Sequence, residues 1–149
     1  MESLMDLYKK ARKCSLERND CSVIAISILA NIPYEKAYKV CEKLGRKKNG
    51  GMYEKDILKA FKRLRCRVEP VSMIHKRKGT RDYKKFTYWF GYSLKRVDEQ
   101  LRPKGRYLIS TSGHVSAYVN GRIEDWAAGR KKIVQKVWEI RPPRKNLAA

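Results

Sequence analysis

The chain has 149 residues, with 36 Lys and Arg against 15 Asp and Glu, a formal net charge of +21. Its 42% hydrophobic content suits one folded domain over 1–149 and excludes a disordered chain. No apolar run reaches the roughly 18 residues of a membrane helix. Met1–Asp6 lacks the basic-then-apolar pattern of a secretory signal, so a cytoplasmic protein with reduced thiols and no membrane contact is expected. Cys14, Cys21, Cys41 and Cys66 are spaced 7, 20 and 25 apart, and neither they nor His75 and His114 fall in a metal-ligand spacing. No metal and no cofactor are expected.

Residues 3–13 read as a helix with Leu4, Leu7, Tyr8 and Ala11 on one face, followed by a polar loop to Asp20, a good N-cap residue. Cys21–Ala30 (CSVIAISILA) has no polar face beyond two serines, which marks a buried central helix. Pro33 starts a helix over 34–44 that ends at Gly45, and a further helix spans 53–65 with Tyr53, Ile57, Ala60, Phe61 and Leu64 on one stripe. From Cys66 the period changes to that of strands: Cys66–Glu69, Arg106–Ser110, His114–Val119, Arg122–Trp126 and 132–140. Between them, 75–85 reads as a basic loop and Ser93–Leu101 as a short helix. Residues 141–149 read as a frayed tail. Helices first and antiparallel strands second predict an α+β domain, N-terminal helices packed on a C-terminal antiparallel sheet.

Cys21 is the residue with chemistry attached. A thiol opening a helix has its thiolate favoured by the helix dipole and by free backbone N–H groups, which also stabilise an oxyanion formed beside the sulfur. Asn120-Gly121 is a strong signal for a two-residue hairpin turn. That turn sets Val119 opposite Arg122, hence Ser116 opposite Asp125. His114 and Asp125 then become diagonal neighbours on one face, the arrangement in which a carboxylate fixes an imidazole tautomer. The other three cysteines read as inert core residues.

Glu17-Arg18-Asn19-Asp20-Cys21 opening an apolar helix, Tyr34-Glu35-Lys36-Ala37, Gly105–Ile109, Gly113-His114-Val115 and the strand ending in Asp125 together resemble the papain-like cysteine peptidases. Within them the likeness is to the small bacteriocin-processing peptidases that act on double-glycine leaders. The resemblance spans about residues 15–126 and implies a papain-like fold with Cys21 as nucleophile, His114 as base and Asp125 as orienter, acting on a peptide or protein substrate. It keeps the family order of nucleophile, then His, then Asp. Ser15 stands where the family has an oxyanion-donating Gln, Asn19 is the nearest amide to take that role, and Ser22 stands where Gly is frequent. Peptidase, deamidase and acyltransferase chemistry use the same triad. The small, lysine-rich chain also resembles bacteriophage or bacterial accessory proteins, which would place it in the host cytoplasm.

The charge implies a polyanionic partner, nucleic acid or the ribosome. Its clusters are Arg46, Lys47 and Lys48, then Lys62, Arg63 and Arg65, then Lys76, Arg77, Lys78, Lys84 and Lys85. Tyr83, Phe86, Tyr88 and Trp89 adjoin the third cluster, as in proteins that bind single strands. A non-catalytic nucleic-acid- or ribosome-binding protein on the same fold is the alternative to an enzyme.

Overall fold

A computed structural model describes residues 19–71, 73–76, 83–86, 101–111, 114–123 and 134–147; of 73–76, 83–86 and 122–123 it describes the backbone. The predicted helix over 3–13, Cys14, Ser15, Arg77, Lys78, the aromatics from Tyr88 to Tyr92, nearly all of the predicted helix Ser93–Leu101, and Asp125 lie outside the described residues.

Helix α1 (Cys21–Ala30) forms where the apolar run predicts it, and every residue after Cys21 is buried. A helix without a polar face needs neighbours all round. Helices α2 (Tyr34–Lys43) and α3 (Glu54–Arg63) supply them on one side and the sheet supplies them on the other. Tyr34, Ala37 and Cys41 face inward from α2, and Ile57, Ala60 and Phe61 from α3. Glu54 and Asp56 in the first turn of α3, with Lys62 and Arg63 in its last, match the helix dipole. Arg65 follows in the left-handed region at φ 61°, with Cys66 N–H bonded to Phe61 C=O.

The main sheet has five strands in the order β1 (Arg67–Pro70), β7 (Val134–Arg141), β4 (Arg106–Thr111), β5 (His114–Val119) and β6 (Arg122–Ile123). All neighbours are antiparallel. Alternation divides it into two buried faces. Leu108, Val115, Ala117, Trp138 and Ile140 pack toward the helices. Tyr107, Ile109, Tyr118, Val134 and Val137 form a second cluster with Leu101. The α+β class and the order of helices before sheet are those expected. The Asn120-Gly121 turn has both residues at positive φ and pairs Val119 with Arg122 and Tyr118 with Ile123, the predicted register.

Two segments differ from expectation. The stretch read as a basic loop, 75–85, is flanked and partly occupied by strands: β2 (Met73–Lys76) pairs with β3 (Tyr83–Phe86). The register pairs Met73 with Phe86 and Lys76 with Tyr83. The tail read as frayed is tied down: Arg141 ends β7, and Arg144–Leu147 form a helical turn, α4. Asn146 Nδ2 donates to Ala30 C=O at 2.9 Å and Asn31 Nδ2 donates to Asn146 C=O at 2.5 Å. Replacing Asn146 by Ala is expected to cost about 1 kcal/mol, a Tm decrease of roughly 4 °C in thermal denaturation.

Candidate active site at the start of α1

Asn19 stands just before α1 in the left-handed region, φ 52°. Its Nδ2 donates to Asn49 C=O at 3.0 Å, which commits the amide to the neighbouring loop. The position proposed for an oxyanion donor is therefore turned to a structural bond. Asp20 occupies the N-cap position, and its C=O accepts the first helical bond from Ile24 N–H at 2.9 Å. Its carboxylate does not cap the helix, contrary to expectation. It is fully buried, and Oδ2 accepts a 2.9 Å bond from the Tyr34 hydroxyl on α2.

This packing ties the segment before α1 to α2 and to the loop after it. The Tyr34 ring lies 6.2 Å from that of Tyr38. The Arg46 guanidinium sits over Tyr38, 5.5 Å from the ring centroid, and its Nη2 donates to Asn19 C=O at 3.4 Å. Arg46 is only 6% exposed. Its assignment to a nucleic-acid surface is corrected: burial against Tyr38 and Asn19 makes it part of the packing that holds the segment before α1. Lys47, Lys48, Lys62, Arg63 and Arg65 are exposed.

Cys21 is half-buried at the first turn of α1, and His114, the first residue of β5, reaches it. Burial alone pushes the thiol pKa up, but the hydrogen bond and charge of His114 and the backbone N–H groups of Val115 and Ser22 outweigh it and hold the thiol below its usual range. The other described cysteines behave oppositely. Burial pushes Cys41 up to about 12 despite Arg46, and Cys66 up to about 11 despite Arg106. Strand parity sets His114 on the face of Ser116 and Tyr118, away from α1. Its place at the end of the sheet, opposite Thr111, puts it beside the start of the helix.

The far end of α1 is closed by side chains from β4 and the C-terminal turn. Arg106 of β4 donates through Nε to Leu29 C=O at 3.2 Å and through Nη2 to Ile28 C=O. The cation and Asn146 satisfy the carbonyl end of the helix dipole, while its N–H end faces the sulfur. Nothing in the sequence marked Arg106 for this role.

Comparison with protein-family models, curated proteins and solved structures finds no match for the chain. Among the described residues, no group of three His, Cys, Asp or Glu is arranged to hold a metal ion, and no helix is long and apolar enough to cross a membrane. Of the sequence-derived triad, Cys21 and His114 are together. Asp125 and the oxyanion candidate Ser15 lie outside the described residues. The register that would bring Asp125 diagonal to His114 is present as far as Arg122 and Ile123.

Proposed function

We propose that the protein is a papain-like thiol hydrolase that opens a peptide or isopeptide bond through an acyl intermediate on Cys21. The contact between His114 and the Cys21 sulfur at the start of a buried helix carries this reading. His114 accepts the Sγ proton, and the thiolate attacks the substrate carbonyl carbon. The resulting oxyanion lies against the N–H groups at the start of α1. Collapse breaks the C–N bond, and His114 returns its proton to the leaving amine. Water, deprotonated by the same imidazole, then releases the acyl group as a carboxylate and restores the thiol. Asp125 serves as orienter of His114 in this reading, and the buried Asp20–Tyr34 pair holds the helix start in place.

Limiting iodoacetamide, followed by peptide mapping of the folded protein, tests the proposal. Cys21 is expected to be alkylated well before Cys14, Cys41 and Cys66 at neutral pH, because a lowered thiol pKa and partial exposure favour it. Equal labelling of the four, or Cys21 slowest, overturns the enzyme reading in favour of a binding protein on this fold.

A further inference from the structure

At the end of the sheet away from Cys21, Glu139 of β7 lies between two arginines. Its Oε2 is bonded by Arg102 and its Oε1 by Arg141 Nε at 2.6 Å. The carboxylate is nearly buried, 11% exposed, whereas the arginine side chains are 64% and 52% exposed. One inner acid thus orients two cations whose side chains stay largely exposed. Arg102 is fixed further by its backbone N–H on the Tyr107 hydroxyl at 3.1 Å and by the turn bond from Gly105 N–H to Arg102 C=O at 3.0 Å. A side chain at Gly105 would collide with the Tyr107 ring, so this turn requires glycine.

Two hollows adjoin at this ridge. One, of about 500 Å3, runs past Lys104, Ile140, Pro142 and Leu147; the other, of about 320 Å3, past Glu69, Pro70, Val71 and Leu101, with the Glu69 carboxylate paired to Arg67 at 3.4 Å. Both share Arg102, Glu139 and Arg141. Exposed Lys104, Arg144 and Lys145 add charge beside the ridge, and Leu147 is 50% exposed on its rim. We propose that this ridge and its two hollows are a binding site for single-stranded nucleic acid, one phosphodiester on Arg102 and Arg141 and a flanking nucleotide in each hollow. Guanidinium forks match phosphate oxygens, and the part-apolar hollows lie in the size range of small-ligand sites, larger than a carboxylate side chain needs. That favours a nucleotide chain over an acidic peptide. The site stands at the opposite end of β4 and of α1 from Cys21, so it is independent of the thiol chemistry.

Fluorescence anisotropy of a labelled single-stranded oligonucleotide, DNA in one arm and RNA in the other, tests the site at about 50 mM salt, where phosphate binding is strong. Arg102→Ala/Arg141→Ala is expected to lose roughly tenfold in affinity for all sequences and to flatten the salt slope by about 0.7 for each phosphate no longer neutralised. Lys104→Ala/Lys145→Ala, which touches no bond of the fold, is expected to weaken binding in the same direction. Lys47→Ala/Lys48→Ala, with the same charge change elsewhere, is expected to lose less. The proposal is overturned by no binding to either strand, by equal losses in all three double variants, or by polyglutamate displacing the oligonucleotide at equal charge concentration.

Discussion

Replacing His114 by Ala is expected to slow alkylation of Cys21 by roughly tenfold or more near pH 6, because the thiolate fraction falls about tenfold for each unit the thiol pKa rises. The variant removes the hydrogen bond and the cationic charge that lower this pKa and leaves burial, which raises it. A lowered thiol keeps its thiolate as pH falls and loses it only below its own pKa. The variant loses it at higher pH. The ratio of wild-type to variant rates should therefore be largest in acid and close only above about pH 8.5, the ordinary thiol pKa, because burial still raises the variant thiol. The gain in thiolate nucleophilicity at higher pKa offsets part of the loss. A pH-rate profile with iodoacetamide reads this directly. A ratio that stays flat with pH would mean that the imidazole acts on access to the sulfur rather than on its proton, and the nucleophile–base pairing would fall. Asp125→Ala should have the same sign and a smaller effect, as suits a group acting through His114.

The largest stability effect is expected at Arg106. Replacing it by Met keeps much of the side-chain volume but leaves the C=O groups of Ile28 and Leu29 without the guanidinium at the buried end of α1. A hydrogen bond to a charged group contributes about 1.5–3 kcal/mol, and loss of the cation at the helix terminus adds about 0.3–1 kcal/mol. A loss of about 2–3 kcal/mol would lower Tm by roughly 6–10 °C. Arg106→Lys should recover part of it, since it restores charge but not the fork that spans two carbonyls. Chemical denaturation at neutral pH reads the change, with the slope against denaturant unaltered because the same surface is exposed on unfolding. If the Met variant is as stable as wild type, the Asn31 N–H on Ile28 C=O and water on Leu29 C=O suffice and α1 is not closed by β4.

Much of the architecture follows from local pattern. CSVIAISILA marks a helix apolar on every side, so it had to lie between layers whatever the rest of the fold. Asn120-Gly121 determines a tight turn because both positions tolerate positive φ, and the register of β5 against β6 follows by counting from it. Cys21 at a helix start and His114 at a strand start were legible for the same reason, since helix and strand boundaries are written in adjacent residues.

What local pattern does not carry is which distant groups meet and on which side a charge ends up. Arg46 sits in a run of three basic residues and reads as surface, yet its stem and guanidinium are buried over Tyr38 because α2 turns back onto the segment before α1. Asp20 reads as a helix cap, yet Tyr34 from the next helix takes its carboxylate. The tail reads as frayed because 141–149 has no periodicity, yet Asn146 meets the carbonyl end of a helix more than a hundred residues earlier in the chain. The ridge of Arg102, Glu139 and Arg141 joins a turn to the end of β7. In each case a side chain's polar groups meet a partner that only the packing of separate elements brings within reach. Where the group is buried, as at Asp20 and Arg46, the low-dielectric interior then makes that partner the one that counts.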